Sequence, residues 1–433
     1  MTTTMIDPIH PSTSSGHGLK GLLERFMSTI DPSVARILDK ALEDKEISVE
    51  EGVKLLGVRD FELTALVLVA DELRRRAVGD IITYVVNRNI NFTNICYVGC
   101  KFCGFKRRPD EPDAYLRSFE EIEAKVEDAI NRGATEVCMQ GGLPRNMDGY
   151  LYRDILQVVK KKAPQIHIHA YSPMEILHGV ELTGLSLEEY LIMLKEAGLG
   201  TIPGTAAEIL DDEVRRVLSQ NKLKVPMWVK IITTAHKLGI RSTATIMYGH
   251  VEKPRHIANH LALIRSIQKE TGGFTEFVPL GFIHENTFLY RKDGAKPGPT
   301  GLEDLRVHAV SRLMLHGYIK NLQVSWVKLG IKLAQLCMNA GANDFSGTLM
   351  EENISKAAGA TAGEYLAPEE MRRLIWDLGR IPAERSTTYE LLKVFNQKEE
   401  AVTEANPTYT EAASHESGSS LTPTLPFSGI TVT

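Results

Sequence analysis

Three cysteines stand close together in the run Cys96-Tyr97-Val98-Gly99-Cys100-Lys101-Phe102-Cys103. The spacing, C-x3-C-x2-C, delivers three thiolates from one short loop. A structural zinc site closes with four ligands, and an electron-transfer iron–sulfur cluster is held by four cysteines. Three thiolates on a cubane leave one iron open, and an open metal position is where a cosubstrate can bind. The other two cysteines have different settings: Cys138 lies inside an expected strand and Cys337 in the apolar helical run 333–338. Free cysteine is among the most buried residue types, so both are expected in the core rather than as a fourth ligand.

The elements that must hold this loop read as short β-type runs alternating with longer amphipathic stretches, the pattern of a parallel α/β fold. Eight runs are expected as strands: 83–87, 136–140, 166–171, 200–202, 242–248, 274–280, 322–326 and 342–346. Helical patterns at 119–131, 187–197, 229–238 and 256–269 lie between them. Eight strand–helix units predict a (β/α)8 barrel of the TIM type, with six strands and extra helices as the alternative. Apolar residues at helical spacing run through Val34, Ile37, Leu38 and Leu42, and Ser48 with Glu51 has the form of a capping box. Residues 21–80 are therefore expected as a helical extension ahead of a barrel at 81–395. Residues 1–20 are polar and rich in Gly, Ser and His, and 396–433 are rich in Thr, Ser, Pro and Glu, so both are expected to be disordered.

Composition narrows the functional classes. At 43% hydrophobic residues the 433-residue chain has the material for one large core. A net charge of −5 gives no electrostatic footprint for nucleic acid, and no apolar run reaches membrane-spanning length. Neither nucleic acid nor membrane is expected as a partner. Five cysteines, three of them clustered, suit a reduced cytoplasmic protein better than a disulfide framework.

In such a barrel the reactive residues belong at the C-terminal strand ends and in the loops after them. The cysteine loop follows the first expected strand. The second ends in Gly141-Gly142, either a plain tight turn or a place where a ligand meets the backbone. Along the third, alternation puts His167, His169 and Tyr171 on one side. Facing inward, they would be polar groups within reach of a substrate; the alternative is a pair of core histidines with satisfied partners. No third ligand lies near them to complete a metal site. The fourth strand leads into Pro203-Gly204-Thr205-Ala206-Ala207-Glu208, where Glu208 is a site candidate or a helix-start residue. The fifth runs through Thr243 and Thr245 to Tyr248-Gly249-His250-Val251-Glu252. His284, Arg312, His316, Trp326 and Asn343 sit near later strand ends, where spacing does not rank them.

The cysteine spacing and the glycine pair at the next strand end together resemble the radical S-adenosylmethionine (SAM) enzymes. That resemblance implies a [4Fe-4S] cluster on Cys96, Cys100 and Cys103, with the amino and carboxylate groups of SAM on the open iron. Gly141 and Gly142 stand where the GGE-type motif meets the methionyl amino group, with Leu143 in place of its acidic residue. Glu208 would hydrogen-bond SAM. The segment 243–252, with Tyr248, is similar to the GxIxGxxE-type stretch that packs against adenine, a threonine standing where its leading glycine is expected.

Residues 87–389 resemble, more narrowly, the tyrosine-using subunit of the FO synthase family of coenzyme F-420 biosynthesis. The similarity is carried by Cys96 to Lys106, Gly133 to Cys138, Ile166 to Glu175, Gly200 to Asp212, Thr243 to Glu252, Thr271 to Leu280, Leu313 to Gly317 and Gly341 to Asp344. It implies L-tyrosine and 5-amino-6-(D-ribitylamino)uracil as substrates, joined through a 4-hydroxybenzyl fragment with release of 2-iminoacetate, methionine and 5'-deoxyadenosine. It also implies a second radical SAM subunit that closes the deazaflavin ring and a reductant such as ferredoxin or flavodoxin. His167, His169 and Tyr171 become the candidates for handling the substrate's protons. The alternatives are a futalosine-pathway radical SAM enzyme of menaquinone biosynthesis and a non-catalytic zinc-binding scaffold. A biotin-synthase-like enzyme would need a further set of cluster cysteines, which this chain lacks.

Overall fold

Among the described residues three full helices precede any strand, and the first two start where the sequence supplies a side-chain cap. α1 (Pro32–Leu42) opens on Asp31, whose side chain accepts from the Ser33 N–H, with Pro32 in the first turn. α2 (Val49–Leu55) opens on the Ser48/Glu51 capping box. α3 (Asp60–Val78) carries Leu63, Leu66, Ala70 and Leu73 inward. This computed structural model describes residue 26 and residues 28–396. The segments expected to be disordered, 1–20 and 396–433, lie outside the described residues except for Asn396.

The barrel follows. Its first strand is broken at Val86 into β1 (Ile81–Val85) and β2 (Asn87–Ile90). Then come α4 (Phe119–Asn131), β3 (Glu136–Met139), α5 (Leu151–Lys162), β4 (His167–Ala170), α6 (Pro173–Thr183) and α7 (Leu187–Glu196). The chain continues with β5 (Thr201–Ile202), α8 (Asp212–Leu218), α9 (Val225–Lys237), β6 (Arg241–Tyr248), α10 (Pro254–Thr271) and β7 (Phe274–Gly281). After these come α11 (Phe288–Asp293), α12 (Gly301–Leu315), α13 (Trp326–Leu329), α14 (Ile331–Met338), β8 (Asp344–Gly347), α15 (Asn353–Ala358), α16 (Pro368–Asp377), β9 (Ile381–Arg385) and β10 (Leu391–Val394).

β2 to β7 form a six-stranded parallel sheet in chain order. Pairing continues beyond β7 through two parallel bridges, Phe277 to Leu322 and Gln323 to Asp344, and β8 pairs in parallel with β1. The seventh expected strand, 322–326, is thus reduced to these two bridges. It stops there because Trp326 starts α13, its buried indole Nε1 donating to the Gly347 carbonyl at 2.9 Å.

β9 and β10 have no counterpart among the expected strands. β9 pairs in parallel with β1 from Ile81 to Tyr84, whereas β3 meets the same first strand only from Asn87 onward. β9 therefore fills the lower half of the gap between the first and second barrel strands. It brings Arg385, 2% exposed, into the barrel's N-terminal half, where its Nε and Nη2 donate to Asp344 at 2.5 and 3.1 Å. Around this pair, Thr83 Oγ1 donates to Asp344 at 2.5 Å and Tyr389 donates to Glu276. Glu136 accepts from Asn87 Nδ2 at 2.8 Å and from Thr387 Oγ1 at 2.7 Å. The lower end of the barrel is closed by paired charge rather than by an apolar layer. Among the described residues no helix is long and apolar enough to cross a membrane.

Candidate active site

The cysteine loop is fastened along its length by backbone hydrogen bonds to different elements. Cys96 N–H donates to the Arg107 carbonyl at 3.1 Å, Tyr97 N–H to Leu143 at 3.0 Å and Lys101 N–H to Leu218 at 3.0 Å, while Lys101's own carbonyl accepts from Leu289 N–H at 2.8 Å. All three thiols are free and line one cavity of about 250 Å³ over the C-terminal strand ends. Burial pushes the Cys96 thiol up and the Cys100 thiol up to about 11, so a metal bound here must displace protons from it. Cys138 and Cys337 are free as well and do not line the cavity. A donor set of three thiols, with no fourth cysteine on the wall, fits a cubane that keeps one iron open.

Gly141 and Gly142 line the same cavity. Gly142 N–H donates to the Thr93 carbonyl at 2.8 Å, and a Cβ there would sit 2.2 Å from the Ile95 carbonyl oxygen. The pair is thus the seat on which the cysteine loop rests. The loop after β5 is held similarly: Gly204 N–H donates to Thr243 Oγ1 at 2.8 Å and Thr245 Oγ1 donates to the Gly204 carbonyl at 2.9 Å. A Cβ on Gly204 would lie 2.0 Å from the Thr243 carbonyl oxygen. This explains why threonines stand where a leading glycine is expected.

Glu208 lines the cavity between two cations, with Arg215 Nη1 at 3.3 Å and Lys222 Nζ at 2.5 Å. It has a positive φ of 41°, a left-handed conformation held by Met247 N–H donating to its carbonyl at 2.9 Å. Met247, not Tyr248, presents its side chain to the cavity. Tyr248 turns away, 1% exposed, and donates to Asp304 at 2.5 Å.

None of His167, His169 and Tyr171 lines the cavity. The two histidines share Thr201 Oγ1, at 2.9 Å from His167 Nε2 and 2.7 Å from His169 Nδ1. They lie low in the barrel, His169 level with Thr201 at the start of β5, below the strand ends that face the cysteines. Burial holds His169 down to about 4, the nearby Glu136 carboxylate acting against it, so the ring is neutral. Tyr171 has φ +63°, which ends the strand alternation. Its ring packs edge-on to Phe92 and Tyr152, and its hydroxyl donates to the Tyr152 carbonyl at 2.7 Å. Of the unranked residues, Arg312 donates to Gly341 and Asn343, and His316 pairs with Asp44 at 2.9 Å. His284 packs edge-on to Tyr290, and Trp326 anchors α13. None of the five lines the cavity.

Glu175, to which the sequence reading gave no role, stands in the cavity wall, 2% exposed. It accepts from Gly141 N–H at 2.9 Å and from Ser172 N–H and Oγ at 2.7 Å each, tying the glycine turn to the end of β4. The signal was present: Ser172-Pro173-Met174-Glu175 is a capping box opening with proline. Burial raises the Glu175 carboxyl to about 7, against the donors of Ser172 and Gly141 and the charge of Lys222. A carboxyl that binds its proton more tightly folded than unfolded stabilises the fold below its unfolded value of 4.5 and loses that stability as pH rises to about 7. The stability of wild type relative to Glu175→Gln should therefore fall by about 3 kcal/mol from acid to alkaline conditions. Urea unfolding of both proteins at pH 5 and pH 8 measures it, and a pH-independent difference would refute it.

The barrel, the three-thiol loop over its strand ends and the glycine seat define a radical SAM enzyme, and residues 90–264 match the radical SAM superfamily. Residues 271–398 match the CofH/MqnC C-terminal region. The chain is 51% identical to the 5-amino-6-(D-ribitylamino)uracil–L-tyrosine 4-hydroxyphenyl transferase of Methanothermobacter thermautotrophicus, over 82% of this chain and 96% of that protein. It is also 51% identical to the protein of the same name from Methanocaldococcus jannaschii, over 81% and 98% of the two chains. The chain belongs to this 4-hydroxyphenyl transferase family. The FO synthase of Mycobacterium leprae matches at 51% identity over 84% of this chain, which spans only 42% of that longer protein. In fold the chain is similar to methylornithine synthase PylB (TM-score 0.64, 20% identity, 80% of this chain and 97% of that one). It is similar also to the hydrogenase maturase HydG of Carboxydothermus hydrogenoformans (TM-score 0.65, 15% identity, 86% of each chain).

Proposed function

We propose that this protein joins the 4-hydroxybenzyl fragment of L-tyrosine to 5-amino-6-(D-ribitylamino)uracil, releasing 2-iminoacetate, in the synthesis of the FO deazaflavin and coenzyme F-420. The observation that carries this reading is the 51% identity over 96% of a relative named for that transfer. Cys96, Cys100 and Cys103 would hold a [4Fe-4S] cluster. When bound, cluster and SAM would supply a one-electron reductive cleavage to methionine and the hydrogen-abstracting radical, which leaves as 5'-deoxyadenosine once it has taken a hydrogen atom from the substrate.

The chain's own residues bind, orient and shield. Backbone groups of Gly141 and Gly142 and the Glu208 carboxylate face the space beside the thiols, where an amino group and hydroxyls of SAM would find acceptors. Lys222, seated on Glu208, adds a cation to the same wall. Met174, Met247, Leu280, Phe282 and Ile283 make much of the remaining wall apolar, which keeps water from a radical that would attack any nearby C–H bond. The paired charge below closes the other end of the barrel. His167 and His169, bonded to Thr201 in that lower half, would act on a substrate proton only through intervening groups. We place the enzyme in the cytoplasm, supplied with electrons by a ferredoxin or flavodoxin and followed by a second radical SAM subunit that closes the ring.

The test is an anaerobic reaction of the reconstituted protein with SAM, dithionite, tyrosine and the diaminouracil, read by mass spectrometry. A 4-hydroxybenzyl–uracil adduct with 5'-deoxyadenosine is expected. Deoxyadenosine without the adduct would point to a futalosine-type substrate, and neither product from cluster-loaded protein would overturn the reading.

A further inference from the structure

One charged side chain in the cavity wall has nothing to answer it. Glu208 is paired with Lys222 and Arg215, Glu175 is held by Ser172 and Gly141, and Lys106 is exposed to solvent at the rim. Lys328 is different. It lies on α13, lines the cavity and is only partly exposed, and its ammonium has no hydrogen-bond or ion-pair partner among the described residues. The acidic group that acts on it most, Glu352, has both oxygens engaged elsewhere, by Ser355 N–H at 2.7 Å and Asn89 Nδ2 at 2.6 Å. Burial accordingly pushes the Lys328 ammonium down, with Glu352 and Cys103 acting against it.

The position is a built one. α13 is pinned by the Trp326 indole on the Gly347 carbonyl and stopped by Gly330 at φ +74°, so the lysine projects from a fixed turn. A largely buried cation with no hydrogen-bonded partner costs stability, and a ligand carboxylate entering the cavity would lower that cost. On the functional reading above, three molecules enter the cavity. The diaminouracil carries no acidic group, and the carboxylate of SAM is taken up by the open iron. The α-carboxylate of the amino acid remains.

We propose that Lys328 anchors the α-carboxylate of the amino-acid substrate. The inference rests on that reading of the reaction. It makes Lys328 a substrate-binding residue and gives the amino acid a direction, its carboxylate toward α13.

The test uses the full chain, reconstituted with iron and sulfide. Lys328→Met and Lys328→Gln remove the charge at similar length, so one of them with wild-type iron content suffices. The KM for L-tyrosine should rise on the order of 10- to 100-fold, as loss of a charge-assisted hydrogen bond predicts, while those for SAM and the diaminouracil stay put. Lys328→Arg should retain most of the affinity. As inhibitors of wild type, 3-(4-hydroxyphenyl)propanoate keeps the carboxylate and tyramine lacks it. The first should weaken by the same factor in the neutral variants, and the second should inhibit all forms alike. A tyrosine KM within twofold of wild type, or a loss that falls on SAM or the uracil instead, overturns the anchor. Absence of any adduct from wild type would instead fault the functional reading, and the anchor with it.

Discussion

Cys96→Ala, Cys100→Ala and Cys103→Ala should each eliminate the iron–sulfur absorbance of the reconstituted protein and, with it, all SAM cleavage. The three thiols share one cavity wall, and neither Cys138 nor Cys337 stands there to replace a lost ligand. The loss should be well over about 100-fold, since even partners outside the coordination sphere contribute on that scale. Cys337→Ala serves as the control. It removes a buried thiol from α14, costs about 1 kcal/mol of stability, and should leave the iron content unchanged. Normal turnover in any of the three loop variants would sink the cluster assignment.

Arg385→Met should destabilise the protein by about 3–5 kcal/mol, because it leaves Asp344 a buried, unanswered carboxylate. Asp344 is fully buried and its two oxygens receive the guanidinium. Glu276 is a second acid, 3.7 Å from Arg385 Nη2, and Tyr389 lies under the guanidinium at 4.1 Å. The double variant Arg385→Met with Asp344→Leu should be less costly than the two changes added, since no charge is then abandoned. Urea unfolding at pH 7.5 of the wild type, both single variants and the double gives the comparison. A cost below about 1 kcal/mol for Arg385→Met would mean that water, not protein, solvates that carboxylate.

How far each element could be read from the sequence depended on whether local pattern or distant pairing decides it. The cysteine loop, the glycine turn and seven of the eight expected strands are legible because turn chemistry and alternation are local: 274–280 is expected where β7 spans Phe274–Gly281, and 342–346 where β8 spans Asp344–Gly347. β9 was not legible. Its sequence, Ile381-Pro382-Ala383-Glu384-Arg385, holds a proline and two charges, and what makes it a strand is the edge of β1 and the buried acids that receive Arg385. The histidines of β4 show the limit of local pattern. Alternation correctly put them on one side, but only the strand's height in the barrel tells which end they serve. Glu175 was readable as a cap; its second bond, to Gly141, comes from a turn 34 residues away. Lys328 carried no signal, since its setting is made by neighbours brought together only by the closed barrel.

The wedge that β9 drives beside β1 also dictates a schedule. Asp80 and Arg380, which flank that pairing, are 300 residues apart in the chain. During synthesis the first strand leaves the ribosome with its lower edge unsatisfied and keeps it so until about 300 further residues have emerged. Pairings at such separation are slow to form, and an open strand edge is a template for unwanted association. Thiols that emerge early, on a loop whose cradle finishes late, face a long interval in which they are exposed to oxidant. Until β9 is in place, the unfinished chain is therefore the form most open to association and thiol oxidation.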